Sequence, residues 1–177
     1  MNNLKIILVI IAIIIAIPLI AALFIKKDFS IEREIIINKP VPVVFNYISH
    51  LKNQDNFSKW VMTDPNMKKD FKGTDGTVGF VYAWDSKDKQ AGKGEQEIKS
   101  IKNNERVDVE VRFEKPFASI AQTPFTTEAI SATQTKVKWG MEGKSKYPMN
   151  IMNLFMNNVL GKDLKTSLTT LKGILEK

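Results

Sequence analysis

The chain has 177 residues, about the length of one ordinary domain, and it contains no cysteine. The absence of cysteine excludes disulfide bonds, thiol catalysis and thiolate metal sites. The formal net charge is +7, but basic and acidic residues alternate along most of the sequence. This pattern is typical of a solvated surface and argues against nucleic-acid binding, which would call for a basic stripe with interleaved aromatic residues.

The N-terminal segment is a candidate membrane anchor. Twenty residues from Ile6 to Ile25 carry no charged or polar side chain, and a helix of that length spans about 30 Å, the thickness of a bilayer's hydrocarbon core. A cleaved signal peptide is the alternative, with Lys5 as its basic region, although the apolar stretch exceeds the usual ~7 to 15 residues and no A-x-A site follows. We predict a single-pass anchor over residues 1–27 and one domain over residues 28–177.

The charges that flank this span predict its orientation. Lys26, Lys27, Arg33 and Lys39 follow it, whereas only Lys5 and the terminal amine precede it. The positive-inside rule then places the C-terminal domain in the cytoplasm. Without Lys5, Lys26 and Lys27 the remaining 23 basic and 19 acidic residues give +4, a surplus that would attract the domain to anionic head groups.

From Asp28 onward the sequence predicts an α+β domain. A strand over Phe29–Asn38 is followed by one or two short helices between Pro42 and Ser58. Apolar and charged residues then alternate over Val107–Glu114 and again over Val137–Met141. One dry and one wet face is typical of an antiparallel sheet that covers a core on one side. We count six or seven strands.

After Pro148 the period changes to that of a helix. Apolar residues recur every three to five positions and predict an amphipathic helix of about seven turns; they are Met152, Phe155, Val159, Leu164, Leu168, Leu171 and Leu175. The predicted order is a strand, short helices, a run of antiparallel strands and one long terminal helix laid across the dry face of the sheet.

The run from Ile31 to the C-terminus resembles the START-like, helix-grip superfamily, also called SRPBCC or polyketide cyclase/dehydrase-like proteins. The segment WVMTDPNMKKDFKGTDGTVGFVYAWDS, followed by AGKGEQEI, is similar to a bacterial, membrane-anchored subgroup. The resemblance implies a curved antiparallel sheet that grips the terminal helix, with an elongated apolar cavity between them. It implies no particular chemistry, since the superfamily includes lipid carriers, hormone receptors, cyclases, co-chaperones and quinone-binding proteins.

Two glycine-containing stretches resemble nucleotide-binding loops but do not match the motifs of such loops. GTDGTVG, which spans Gly73, Gly76 and Gly79, matches neither G-x-G-x-x-G nor G-x-x-x-x-G-K-[ST], and it leads into a strand. GMEGKS is too short for a phosphate loop, because Lys138 stands where the first glycine would be needed. We predict a turn at the first stretch and expect no cofactor.

Aromatic and methionine side chains are the candidate ligand-binding residues. Methionine adapts to irregular apolar shapes, and buried tyrosine or tryptophan needs a partner for its polar tip, which a ligand can supply. Ordinary core packing is the alternative for each of these residues. We predict that loop Thr63–Thr77 and the start of the terminal helix gate the site, and that the ligand contacts Tyr82, Trp84, Phe113, Trp139, Met152, Phe155 and Met156.

No catalytic residue or metal site is predicted. His50 is the only histidine, and no nucleophile or orienting acid can be assigned to it. Glu95 and Glu97 share one face of a strand and could lie at a cavity mouth, whereas Asp108 and Glu110 belong to the wet face.

The sequence therefore predicts a membrane-tethered protein that binds a hydrophobic small molecule, such as a lipid or isoprenoid. A cyclase or dehydratase acting through Glu95, Glu97, Arg112 or His50 is a second hypothesis, which requires a buried group with a perturbed pKa. A ligand-free protein-interaction module is the third. The sequence identifies no protein partner.

Overall fold

The computed structural model describes residues 3–177 and contains five α-helices and eight strands within them. The helices are α1 Asn3–Phe24, α2 Val41–Ser49, α3 Gln54–Phe57, α4 Lys59–Thr63 and α5 Asn153–Leu175, with 3-10 turns at Leu51–Asn53 and Met149–Met152. The strands are β1 Asp28–Ile37, β2 Lys68–Lys72, β3 Val81–Asp85, β4 Lys93–Lys102, β5 Arg106–Lys115, β6 Ser119–Gln122, β7 Phe125–Ser131 and β8 Gln134–Lys144. The predicted α+β class and order of elements are confirmed.

The eight strands form one antiparallel sheet in the order β1-β8-β6-β5-β4-β3-β2, and β7 pairs with both β5 and β8. The count exceeds the predicted six or seven, partly because residues 119–131 form two strands, β6 and β7. Pro124 separates them, since proline has no N–H to donate to a ladder. β6 and β7 therefore occupy successive parts of one position between β5 and β8.

Two apolar clusters fill the concave side of the sheet. The first, here called the helix cluster, holds α5 against β1, β7 and β8 through buried Leu164, Leu168, Leu171, Ile37, Phe57, Phe125, Val137 and Trp139. The second, the sheet cluster, lies under α2 and its following turn and contains buried Phe45, Leu51, Phe80, Tyr82, Ile98, Val107, Val109 and Val111. The alternation along β5 thus buries the face that its period of two predicts.

The glycine series between β2 and β3 builds a turn. Gly73, Gly76 and Gly79 have φ of 85°, 79° and 86°, values that favour glycine. A Cβ at Gly76 would lie 2.7 Å from Nε2 of His50. The carboxylate of Asp75, inside this turn, accepts hydrogen bonds from the backbone N–H of Leu51 at 2.8 Å and of Lys52 at 3.2 Å. The turn is therefore fixed to the helical layer.

Helix α1 stands apart from both clusters. It is the single helix within residues 3–177 that is long and apolar enough to cross a membrane. Ala22, near its C-terminal end, is its one buried residue, Pro18 and Ala21 are half-buried, and the other residues of the helix are exposed. An apolar helix that packs against so little protein has a surface suited to lipid.

Candidate functional site

Tyr82 of β3 is enclosed in the sheet cluster and has an internal partner for its hydroxyl. The ring is fully buried, and the hydroxyl donates to Oδ1 of Asp55 at 2.7 Å. Nζ of Lys69 lies 2.9 Å from Oδ2 of the same carboxylate. Burial raises the pKa of the Tyr82 phenol far above its ordinary value, and the hydrogen bond to Asp55 adds to the shift.

Trp84 and Phe113 lie next to each other at the end of the sheet cluster. The rings meet edge to face with centroids 6.0 Å apart, and both side chains are half-buried. The indole N–H of Trp84 donates to the carbonyl of Ala91 at 2.9 Å. A Cβ at Gly94 would lie 2.9 Å from the indole, so a glycine in β4 is what lets the ring lie flat against the sheet.

Trp139 of β8 lies in the helix cluster among other aromatic rings. It is 3% exposed and stacks on Phe125 with centroids 4.5 Å apart. Phe57 and Trp60 meet it edge to face at 5.8 and 5.7 Å. Its indole N–H is buried and has no hydrogen-bond partner among residues 3–177. Among the predicted polar tips this donor alone is unsatisfied, because those of Tyr82 and Trp84 bind protein atoms.

The three predicted residues near the start of α5 lie elsewhere. Met156 is half-buried against the helix cluster, whereas Met152 and Phe155 are exposed. The reason is the course of α5, which follows strand β1 and leaves the opposite side of its first turns uncovered. The structure therefore divides the seven predicted residues between the sheet cluster, the helix cluster and an exposed helix face, and does not place them around one cavity.

Two shallow, open depressions of the surface lie near the point where α1 joins the domain. One, of about 440 Å³, is lined by the start of β1 and the ends of β6 and β8, including Phe29, Gln122 and Glu142. The other, of about 480 Å³, lies between the end of α1, the start of β1 and the first turns of α5. Met156 is the predicted residue that lines it, beside Phe24 and Leu154.

The junction itself is held by side-chain amides that sequence reasoning missed. Nδ2 of Asn150 donates to the carbonyls of Ala22 at 2.6 Å and Ile25 at 2.8 Å. Nδ2 of Asn153 donates to the carbonyls of Lys26 at 2.9 Å and Lys27 at 3.0 Å. The last carbonyls of a helix have no partner within it, so Asn150 caps α1 and Asn153 holds the linker that follows it. The asparagine-rich run MNIMNLFMNN was the available signal.

The hydroxyl of Tyr147 adds one further contact to α1, because it donates to the carbonyl of Leu19 at 3.3 Å. The segment from Tyr147 to Asn153 thus follows the last turns of α1 and the linker after it.

A charged network covers the outer face of β4 and β5. Arg112 contacts Glu95 at 2.8 Å, Glu97 at 2.9 Å and Glu110 at 2.6 Å. Hydrogen bonds from Arg112 hold the pKa of Glu97 and of Glu110 below the usual range. Glu95 and Glu97 therefore lie on the wet face with Glu110, because their buried neighbours Gly94, Gln96 and Ile98 occupy the inner face.

His50 and the predicted gate, the segment Thr63–Thr77, make contacts that support the fold. Nδ1 of His50 lies 2.7 Å from the carbonyl of Asn46. The segment Thr63–Thr77 contains strand β2 and is tied to its surroundings through Asp64, which accepts a hydrogen bond from Ser86, and through Asp75.

No family model matches the sequence, and no curated protein matches it. Solved structures do match. The chain is similar to hypothetical protein jhp0584 from Helicobacter pylori, with 10% identity, a TM-score of 0.65, and coverage of 86% of this chain and 89% of that one. It is also similar to Ara h 8.0201, with 14% identity, a TM-score of 0.60, and coverage of 84% and 97%. DynU16, from the dynemicin biosynthetic locus, has 13% identity and a TM-score of 0.58 over 84% of this chain and 47% of its own.

The fold is a helix-grip fold. In this helix-grip chain the sheet holds the second half of α5, where Leu164, Leu168 and Leu171 are buried. The first turns of α5 leave their outer face uncovered and lie beside the end of α1. The grip therefore ends where the junction with α1 begins.

Proposed function

We propose that the protein binds a hydrophobic small molecule, of the lipid or isoprenoid class, between the inner face of the sheet and α5. The observation that carries this proposal is the buried, unpartnered indole N–H of Trp139. A buried polar group left without a hydrogen bond costs about 1 to 3 kcal/mol. A ligand with an apolar body and one acceptor oxygen, such as a carbonyl, would satisfy the donor and gain contact with the surrounding rings.

The surroundings of Trp139 suit an apolar ligand. Phe57, Trp60 and Phe125 surround the indole, and aromatic walls with a single placed donor are typical of small-molecule sites. Trp84 and Phe113 pack against the separate sheet cluster and are not part of this proposed site. The helix-grip fold supports the proposal in general terms, since the fold is compatible with a ligand held between sheet and helix.

We further propose that α1 tethers this domain to a membrane, with the domain on the cytoplasmic side. Length and composition of α1 support the tether. Lys26 and Lys27, directly after the helix, support the orientation. A tethered binding protein can take an apolar ligand from the bilayer without carrying it far through water.

The test is native mass spectrometry of the full-length protein extracted gently from its own membrane, with the released compounds identified after denaturation. We expect a stoichiometric apolar compound that carries an acceptor oxygen. Trp139→Phe keeps the aromatic packing and removes the donor, so we expect bound compound to fall about tenfold, as loss of roughly 1.4 kcal/mol implies.

Val137→Ala is the matched control. Val137 is buried in the same cluster and strand, so its truncation lowers stability by roughly 1 to 3 kcal/mol without removing a donor. Retention of the compound in Val137→Ala and its loss in Trp139→Phe would support the proposal. Protein that carries no compound in any variant, or equal loss in both, would overturn it.

A further inference from the structure

We propose that the domain lies partly within the membrane interface: the segment Tyr147–Phe155 and the tip of the β5–β6 hairpin contact the bilayer that α1 spans. This inference rests on the membrane tether of the proposed function and is independent of the ligand. The occupant of the exposed apolar surface is the lipid head-group and upper acyl region of one leaflet.

The depth of the segment follows from its contacts with α1. The helix has 22 residues and is therefore about 33 Å long, close to the ~30 Å hydrocarbon thickness. Leu19 lies about 8 Å below the end of α1 at Phe24, on a rise of about 1.5 Å per residue. Tyr147 and Asn150 bind the carbonyls of Leu19 and Ala22, so this part of the domain reaches the hydrocarbon boundary.

The side chains that this segment exposes suit that depth. Tyr147 is 44% exposed, Met149 41% and Phe155 56%, and Met152 and Leu154 are exposed beside them. Tyrosine is enriched at membrane interfaces, where its ring is apolar and its hydroxyl is wet. The amide of Asn150 is fully buried, and its Nδ2 donates to the carbonyls of Ala22 in α1 and of Ile25 just after α1. Both N–H groups of this amide are thus paired, its Oδ1 has no hydrogen-bond partner among residues 3–177, and the apolar side chains around it are exposed.

The sheet brings a second apolar group to the same end. Its register pairs Asp28 with Lys144, Gly143 with Ala121, and Ser119 with Phe113. The hairpin tip at residues 115–118 consequently extends past the first residue of β1, by about 10 Å at the ~3.3 Å rise of a strand residue. Phe117 is 64% exposed at this tip.

Charge at this end of the sheet complements an anionic leaflet. Five exposed lysines, Lys26, Lys27, Lys115, Lys144 and Lys146, outnumber the exposed carboxylates of Asp28, Glu114 and Glu142 there. Each basic residue close to an anionic surface contributes about 1 kcal/mol of attraction. An apolar ridge with flanking lysines is the pattern of an interfacial, as opposed to spanning, membrane contact.

The absence of cysteine makes a direct test possible, because each single-cysteine variant carries one label. Full-length Met149→Cys and Phe117→Cys are labelled with an environment-sensitive fluorophore and placed in nanodiscs of equal parts phosphatidylcholine and phosphatidylglycerol. Nitroxides on the upper acyl chain and near the end of the acyl chain act as quenchers in separate samples. Ile130→Cys is the matched control, since Ile130 is 44% exposed at the opposite end of the sheet, near the end of β7.

Ile14→Cys, near the middle of α1, reports on the tether itself. We expect the labels at positions 117 and 149 to be quenched about twofold or more relative to position 130, as insertion of ~5 to 10 Å implies. Quenching at position 14 with positions 117 and 149 equal to position 130 would overturn this inference and leave the tether intact. A label at position 14 that is not reached by quenchers at any depth would overturn the tether and this inference with it.

Discussion

The phenol of Tyr82 is buried, and its proton is held by Asp55. Its pKa is raised in the folded protein, whereas the unfolded chain ionises near the ordinary value of about 10. Below pH 10 both states keep the proton and the full stability is present. Above pH 10 the unfolded state alone loses it, so stability falls as pH rises toward the raised pKa.

We predict that Tyr82→Phe flattens this alkaline decline. The variant should lose about 1 kcal/mol at pH 8, the value of a net hydrogen bond, and its free energy of unfolding should then fall less steeply than that of the original protein between pH 10 and 11. Urea denaturation of the full chain in detergent measures both. Phe71→Leu is the control, since Phe71 packs edge-on against Tyr82 at 5.1 Å and carries no titrating group; parallel pH curves for Tyr82→Phe and the original would contradict the prediction.

Single side chains also show which features the sequence predicts and which it does not. Burial of Tyr82 and Trp139 follows from the alternation of their strands, and the structure agrees with it. The partner of each polar tip does not follow, because Asp55 and Ala91 reach Tyr82 and Trp84 from other elements. An i, i+2 pattern gives the face of a strand but not what lies opposite that face.

At the scale of elements, strands β4 and β5 share the charged network around Arg112. The pKa values of Glu97 and Glu110 are lowered by its hydrogen bonds. A lowered pKa means that the stabilisation is present above the ordinary carboxylate pKa of about 4.3 and is lost as pH falls through the lowered value.

We predict that Arg112→Gln destabilises the protein by about 1 kcal/mol at pH 7, the scale of partly exposed ion pairs, and that the difference closes between pH 5 and 3. Without Arg112 three carboxylates repel one another until they gain protons. Arg106→Gln, which removes a pairing with Asp108 alone on the same strand, should show a smaller effect. A difference between Arg112→Gln and the original that is constant from pH 7 to 3 would refute this account.

Helix α5 shows which part of an element its period can predict. Leu164, Leu168 and Leu171 are buried as their spacing indicates. Met152 and Phe155 continue the same spacing and are exposed, because α5 follows β1 and extends past the grip of the sheet. Apolar periodicity predicts that one face of a helix will be covered, but it does not distinguish a covering protein element from a bilayer. The grouping of the seven candidate residues therefore needed the structure.

At the scale of the whole molecule, the asparagine caps join α1 to the domain. Asn150 and Asn153 together donate four hydrogen bonds to the end of α1 and the linker at Lys26 and Lys27. Such contacts leave no periodic signature, since an exposed loop asparagine and a capping asparagine look alike in sequence. This joint is the largest feature of the architecture that the sequence did not predict.

We predict that the double change Asn150→Ala and Asn153→Ala raises the rate of tryptic cleavage after Lys26 and Lys27 about tenfold or more, since net hydrogen bonds of about 1 kcal/mol each are lost. The measurement is limited proteolysis of the full chain in nanodiscs, followed by mass spectrometry of the fragments. Asn158→Ala, an exposed asparagine on the same helix, is the control. An unchanged cleavage rate in the double variant would show that the joint does not restrain the linker.

The joint also connects parts of the chain that are made at very different times. Leu19 and Tyr147 are 128 positions apart, which at about 5 to 20 residues per second is a delay of roughly 6 to 25 s during synthesis. Strand β1 also remains unpaired for a similar time, because its partner β8 is synthesised late. In the proposed membrane-tethered protein, a ribosome at the membrane would deliver the apolar helix first, and the nascent domain would remain on a loose tether until the last third of the protein emerges and closes the joint.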